Sequence, residues 1–351
     1  RIDGPIFLKA SAGGGGKGMR LVRDRSNLES LVREAVGEAK SAFGNGTVYV
    51  EKYIEKPKHI EFQILADSHG NVVHLFEREC SIQRRHQKVL EETPSLALDD
   101  ELRNRMGQAA VSAAQAAGYR NAGTVEFIFD QKRNFYFLEM NTRIQVEHPI
   151  TECTTGIDLV KWQIRIARGE ALDFSQKDLV QRGHAIECRI YAEDSSKNFI
   201  PSCGVISLLR EPWGPGVRND SGVYEGWEVS PYYDPILSKL VTYGENREAA
   251  IRRMQLALDS YWVHGIETSV DLHKRILVNK AFLAGDTNTD FIEKHKDELL
   301  GKAEDVPDEA FIAAALADHL GNMGRVAANG GNAERATPWQ LVGKWEIGGG
   351  S

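Results

Sequence analysis

Several features are scarce or missing in this chain, and each omission narrows what it can be. Only four cysteines occur in 351 residues, Cys80, Cys153, Cys188 and Cys203, and no two form a C-x-x-C pair. That excludes a zinc ribbon and a dense disulfide framework, and reads as reduced thiols in a cytosolic-type compartment. No apolar run reaches the roughly 18 residues of a membrane helix, and no stretch has the pattern of a secretory signal. Positive charge is not in excess: the formal net charge is -7, so there is no electrostatic footprint for nucleic acid. Any bound anion must be held by local cations. An initiator methionine is also absent, and both ends, Arg1 and the terminal "EIGGGS", read as cuts within a longer chain.

What is present alternates between strand and helix patterns. "PIFLKA" and "MRLV" read as strands separated by glycines, and "TVYVEKYI" as a third. Between them "SNLESLVREAVGEAKSAF" reads as a helix, with Ser26 at the N-cap and Glu29 at the capping-box position. Residues 59–141 are mostly β, with one helix over about Asp100 to Ala117. A second helix is predicted over Gly156 to Gly169 with Leu159, Val160, Gln163, Ile164 and Ala167 along its apolar stripe. Residues 184–245 are β-rich. Asn246 to Tyr261 is helical, with Ala250, Ile251, Met254 and Leu258 on one face. The composition shifts after residue 300: a helix "DEAFIAAALADHL", a Gly/Asn/Ala-rich loop, and a short strand "WQLVGKWEI".

Two stretches carry chemistry. In "KASAGGGGKGM" four consecutive glycines, Gly13 to Gly16, lose much entropy on ordering, and close backbone approach to phosphates is the usual return. Gly16-Lys17 is followed by Gly18, which excludes a Walker A loop. The strand after it excludes a Rossmann turn. A glycine flap between two strands remains, with Lys9 supplying a cation; a merely tolerated flexible loop is the alternative. In "GTVEFIFDQKRNFYFLEMN" a hairpin with its loop at Gln131 to Asn134 places Glu126 opposite Glu139, with Asn141 on the same face. Val125, Phe127, Phe129, Tyr136, Leu138 and Met140 would form the core face, and Ile128, Phe135 and Phe137 would share the Glu126 face. Facing carboxylates repel unless a cation lies between them, and Mg²⁺ takes one or two carboxylates plus substrate phosphates. A solvated polar face is the alternative. Beyond the hairpin, Arg143, Gln145 and Glu147 continue the alternation, and an arginine beside a carboxylate suits an anion site with a general base. His148 reads as a structural hydrogen bonder.

Together "KASAGGGGKGMR", "VEKYIEKPKHIEFQ", "ERECSIQRRHQKVLEE", "GTVEF" and "FLEMNTRIQVEHPITE" resemble the biotin carboxylase component of biotin-dependent carboxylases, within the ATP-grasp superfamily. "HAIECRIYAED", "GVRNDSGV", "YYDPILSKLVTYGENR" and "GDTNTDFI" follow in the family's order, and the resemblance covers about residues 1 to 295. The tail is similar to the linker region of acyl-CoA carboxylase alpha subunits of the propionyl-CoA type.

The resemblance implies an α+β, ATP-grasp fold with a glycine-flap lid subdomain and a larger β-rich C-terminal biotin carboxylase domain. Its divisions would be a partial lid over 1–53, the ATP-grasp core and C-terminal domain over 54–300, and a linker or start of an interaction domain over 301–351. Lys9 and Gly13, Gly14, Gly15 and Gly16 would contact ATP phosphates. Glu51, Lys52 and Ile54 would hold adenine, with His59, Gln83 and His86 lining the pocket, and Arg84-Arg85 is read as functional within "SIQRRHQK". Glu126, Glu139 and Asn141 would bind Mg²⁺ or Mn²⁺. Lys88, Arg143, Gln145 and Val146 would surround bicarbonate, Glu147 would be its base, and Arg218 would hold the biotin enolate.

The implied activity is ATP-dependent carboxylation of biotin in an acetyl-CoA or propionyl-CoA carboxylase. It would need a biotin carboxyl carrier domain or protein and a carboxyltransferase subunit, in a homodimer or larger complex, cytoplasmic or in the mitochondrial matrix, without nucleic acid or membrane. The family's N-terminal domain and the biotinyl-lysine motif A-M-K-M are missing here, so the piece by itself is expected to be poorly active. Ala12 departs from the glycine of some members. A carbamoyl-phosphate synthetase-like ligase and a nucleotide-binding scaffold without turnover are the alternatives; "GVRNDSG" and "QRRHQK" speak against the first.

Overall fold

The structure, a computed structural model, describes residue 2 and residues 4–12, 18–300 and 307–329. The chain divides into two compact units, Arg1–Gly301 and Lys302–Ser351.

The first unit opens with a three-stranded antiparallel sheet in the order β2-β1-β3, formed by β1 (Ile6–Ala10), β2 (Met19–Val22) and β3 (Val48–Lys52). Helix α1 (Leu28–Phe43) closes its own small core, in which Ile6, Leu8 and Val22 pack with Ala35. The expected Ser26 capping box does not form. Ser26 donates its N–H and its hydroxyl to Asp24 at 2.9 and 2.8 Å, so Asn27 takes the cap position instead. Residues 13–17 of the glycine loop, and with them Gly13, Gly14, Gly15 and Gly16, lie outside the described residues, as does "WQLVGKWEI".

An eight-stranded antiparallel sheet carries the rest: β4 (Lys58–Ala66), β5 (Val72–Arg84), β6 (Gln87–Thr93), β7 (Asn121–Phe129), β8 (Phe135–Asn141), β9 (His184–Tyr191), β10 (Val217–Ser221) and β11 (Ile236–Gly244). The spatial order is β10-β11-β9-β6-β5-β4-β7-β8. Period-two alternation explains β4. Ile60, Phe62, Ile64 and Ala66 enter a core beneath helix α2 (Asp100–Ala116), while His59, Glu61 and Gln63 turn to the other face, yet all are buried. Asp99 caps α2 by accepting from the Leu102 N–H at 2.9 Å. Gly107 lets α2 lie on the sheet, since a Cβ there would meet the His74 ring at 2.4 Å. A second core joins β6, β9 and β11 to helices α5 (Arg247–Asp259) and α6 (Val270–Val278), with Ala250, Ile251, Met254 and Leu258 inside as expected.

Two helix expectations change. The stretch predicted as one helix over 156–169 belongs to α4 (Leu159–Ala167), preceded by α3 (His148–Thr155), which ends at Gly156 with φ +75°. Leu159, Trp162 and Ile166 form the buried stripe of α4, and Val160 and Ile164 face outward, because Trp162 packs edge-on against Phe174 at 5.2 Å. In the second unit the helix Asp308–Asn329 runs through the first part of the glycine-rich stretch expected to be loop.

One buried cluster ties β6, β9 and α5 together. Glu92 accepts from His184 at 2.9 Å and from Arg247 at 2.6 Å. Burial opposes the charge, but His184 and Arg247 outweigh it and bring the Glu92 carboxyl down to about 2. The stabilisation is present above the usual carboxylate range and is lost as pH falls towards 2. Glu92→Gln is therefore expected to lower the unfolding free energy by about 3 kcal/mol at neutral pH. In denaturant titrations the difference from the parent protein should shrink through the acid range.

Candidate active site

The carboxylate hairpin forms with Glu126 opposite Glu139 and Thr124 opposite Asn141. The loop differs from expectation: Phe129 faces Phe135, and a bulge between Phe137 and Glu139 restores the register. The bulge also changes the faces. Phe135 packs against the α2 core, while Leu138 lines the cavity described below, and Tyr136 and Phe137 are exposed.

Cross-strand pairing then sets four charged groups in a row across β5, β4, β7 and β8: Arg78, Glu61, Glu126 and Glu139. Arg78 is fully buried. It donates to Glu61 at 2.6 Å, Gln63 at 2.7 Å, Gln145 at 2.9 Å, Thr151 at 3.0 Å and Thr124 at 3.2 Å. Such complete satisfaction is what a buried guanidinium requires. Lys88 reaches over the row from β6. Its ammonium donates to Glu126 at 2.9 Å, to Glu147 at 2.6 Å and to Glu61.

Glu147 sits at the N-cap of α3 and is 2 % exposed. Its second oxygen accepts from Arg189 at 2.9 Å, and Arg189 also donates to Glu91 at 2.6 Å. Burial disfavours the Glu147 charge, but Lys88, Arg189 and Arg78 outweigh it and hold the carboxyl below the usual range. Glu126 behaves alike: burial opposes its charge, and His59 and Lys88 more than offset that. His59 meets Glu126 at 3.0 Å and accepts from the Gln83 amide at 2.7 Å. Gln145 donates to Glu126 at 3.0 Å, and the Val146 carbonyl accepts from Lys239 at 2.7 Å. Arg143 is exposed and has no ion pair among the described residues; it donates only to the Ile144 carbonyl at 3.1 Å and to Asn141 at 3.5 Å. It is thus available to an incoming anion.

Next to this cluster a cavity of about 980 Å³ opens between the three-stranded sheet and the large sheet. Lys9, Glu51, Lys52, Ile54, His59, Gln83 and His86 all line it, as do Glu126 and Glu139. Phe7, Leu21 and Ile128 supply apolar walls. Lys9 is paired with Glu51 at 3.0 Å. The donor set fits a hard cation bound with phosphates. Glu139 carries a carboxylate without an ion pair among the described residues, and the Asn141 amide oxygen, which accepts only a long 3.5 Å bond from Arg143, is the further oxygen donor; its unpartnered amide nitrogen can donate to a phosphate but not to a cation. Glu126 is already held by His59, Lys88 and Gln145.

Two expectations are revised by the geometry. Arg218 is not in the cluster; Asp220 at 2.8 Å and Glu152 at 2.7 Å hold it, and it reaches Val146 only through Asp220 and Lys239. Arg84 binds Glu193 at 2.9 Å and stacks on Phe199. His148, as expected, is a structural hydrogen bonder, with Nδ1 at 2.8 Å from the Gln145 carbonyl. Sequence reasoning missed Glu61, Arg78, Glu91 and Arg189. The alternation His59, Glu61, Gln63 in β4 and Glu187, Arg189 in β9 was the available signal. It also missed the far rim of the cavity, Asn288 to Asp290 with Glu293 and Lys294. That rim is latched to β4 and β5: Lys58 donates to Glu79 at 2.8 Å and Thr287 at 2.7 Å, and the Thr289 N–H donates to the Pro57 carbonyl at 3.0 Å.

The fold and this carboxylate row are of the ATP-grasp class, and comparison with known proteins shows the family within it. Residues 1–175 match the family model "Carbamoyl-phosphate synthase L chain, ATP binding domain", and residues 187–294 match "Biotin carboxylase C-terminal domain". The chain is 56% identical over 293 residues to a biotin carboxylase of Nostoc sp., covering 84% of this chain and 66% of that protein. It is 53% identical over 293 residues to the mitochondrial propionyl-CoA carboxylase alpha chain of Sus scrofa, covering 83% of this chain and 40% of that one. The crystal structure of the biotin carboxylase domain of Hydrogenobacter thermophilus 2-oxoglutarate carboxylase, in complex with MgADP, ADP and bicarbonate, superposes with a TM-score of 0.83. Identity to it is 50%, over 86% of this chain and 67% of that one. The chain belongs to the biotin carboxylase family. It spans about two thirds or less of the curated relatives named above.

Proposed function

We propose that this chain carries the ATP- and bicarbonate-binding part of a biotin carboxylase, which carboxylates biotin on a carrier domain or protein. The observation that supports this best is a single ammonium: Lys88 hydrogen-bonds both Glu126 in the cavity wall and Glu147 beyond it. Phosphoryl chemistry and proton abstraction are thereby joined at one point.

ATP lies in the cavity, its adenine against Glu51, Lys52 and Ile54 and its phosphates beside Lys9 and the glycine loop of Gly13 to Gly16, with His59, Gln83 and His86 along the wall. Glu126, Glu139 and Asn141 hold Mg²⁺ or Mn²⁺, which neutralises charge on the phosphates when bound. Bicarbonate takes a place among Lys88, Arg143, Gln145 and Val146. Competing for Lys88, it loosens that ammonium from Glu147 and raises the basicity of the carboxylate. Glu147 removes the bicarbonate proton, and the freed oxygen attacks the γ-phosphorus as ADP leaves. Carboxyphosphate breaks down to CO₂ and phosphate, phosphate takes the ureido proton of biotin, and the ureido nitrogen attacks CO₂. Arg189, bonded to Glu147, is the arginine placed to hold the enolate oxygen, in preference to Arg218.

A carboxyltransferase partner, which selects the acceptor, and a dimeric or larger assembly in a cytoplasmic or mitochondrial matrix setting complete the proposal. No described helix is long and apolar enough to cross a membrane.

The test is bicarbonate-dependent ADP release by the full-length protein with and without free biotin. Stimulation by biotin is expected; a rate indifferent to biotin but raised by ammonia would transfer the site to carbamoyl-phosphate chemistry, and no release would leave a scaffold. Because Glu139 is exposed and unpaired among the described residues, Glu139→Gln is expected to leave the melting temperature nearly unchanged. The same change should raise the Mg²⁺ needed for half-maximal ADP release by about tenfold or more, read by titration.

A further inference from the structure

Behind the proposed base lies a second pair of acids. Glu91 on β6 and Glu187 on β9 are directly opposed in the ladder and both fully buried. Directly opposed side chains share a face at close range. Glu91 gives one oxygen to Arg189 at 2.6 Å, while its other oxygen has no partner, nor has either oxygen of Glu187. The groups facing Glu187 are Glu91 from β6, Lys239 from β11, Arg189 from its own strand, Glu147 at the start of α3 and Cys153 within it. None of these donates to it. Two adjacent buried carboxylates, of which only Glu91 is bonded to a guanidinium that Glu147 also shares, cannot both stay ionised.

We propose that Glu91 and Glu187 share a single proton carried by Glu187, and that this pair is a positioning device that holds Arg189 against Glu147. One proton between the two carboxyls supplies the donor that the free Glu91 oxygen lacks. It leaves the negative charge on the Glu91 oxygen that grips the guanidinium. Burial, then the Glu91 charge, push the Glu187 acid well up, with Lys239 opposing. An ionised Glu187 would instead compete with Glu147 for Arg189. The positioning role rests on the function proposed above; the proton itself does not.

The test uses the full-length protein. Infrared difference spectra at neutral pH are expected to show a protonated-carboxyl stretch in the parent protein that is absent from Glu187→Gln. Lack of that band, or its survival in the variant, overturns the shared proton whether or not the protein turns over. Glu187→Leu, which offers Glu91 no donor, is expected to lower kcat for biotin-dependent ADP release about tenfold with little change in the KM for ATP, and Glu187→Gln, whose amide donates, to recover most of it. A leucine variant as fast as the parent, or a glutamine variant as slow as leucine, overturns the positioning role. If the parent protein shows no biotin-dependent release, the functional reading fails while the infrared result still decides the proton.

Discussion

Glu147→Gln is expected to lower bicarbonate-dependent ADP release by about 10²- to 10⁴-fold, the range a positioned general base supplies. Glutamine fills the same volume and cannot take the bicarbonate proton. The fold should tolerate it, because each cation that loses Glu147 keeps another carboxylate. Lys88 retains Glu61 and Glu126, and Arg189 retains Glu91. The measurement is steady-state ADP release over a bicarbonate series beside a melting curve. A variant that melts like the parent protein and still turns over at a tenth of its rate or more would remove Glu147 from the role of base.

The second large effect separates two arginines. Arg189→Met removes the only cation bonded to Glu91 among the described residues, and one of the two among them that grip Glu147. Stranding a buried carboxylate costs about 3–5 kcal/mol, so destabilisation accompanies the loss of activity. The double change Arg189→Met with Glu91→Gln removes the stranded charge and should recover much of the stability but none of the biotin-dependent rate. Arg218→Met loses pairs to Asp220 and Glu152 at a partly exposed site, an effect of about 1 kcal/mol or less. Biotin-dependent ADP release is therefore expected to collapse in the first variant and to survive in the second. The reverse result would return the enolate role to Arg218.

Much of this arrangement could be read from local pattern. The strands around the glycine loop and helices α2 and α5 follow from alternation and caps, whereas the expected pairing of Glu126 with Glu139 holds only because the bulge offsets a turn one residue different from the expected one. The bulge at Leu138 did not, because an extra residue in one strand leaves the apolar content unchanged and shifts only which side chains point where. Trp162 displaced the predicted stripe of α4 because its packing against Phe174 and the core beside Leu65 and Leu75, which no helical period encodes, decided which side was buried. Arg189 escaped notice for a different reason. In "HAIECRIY" one face is Ile186, Cys188 and Ile190 in an apolar core, and the stretch reads as an ordinary buried strand. Its charged face acquires meaning only once α3 brings Glu147 against it. Arg218, by contrast, stands in a conspicuous polar string whose partners, Asp220 and Glu152, satisfy it in place.

The latch at the cavity rim bears on how the protein is made. Pro57 and Lys58 leave the ribosome more than two hundred residues before Thr287 and Thr289, which they bind. The early strands, the glycine hairpin and the carboxylate row can all be translated while the nucleotide cavity still lacks its far wall. A nascent chain stalled before residue 285 would hold the reactive carboxylates without the segment that finishes the pocket. Tight capture of nucleotide would then coincide with the end of synthesis of this domain, late enough that the charged groups have settled with one another first.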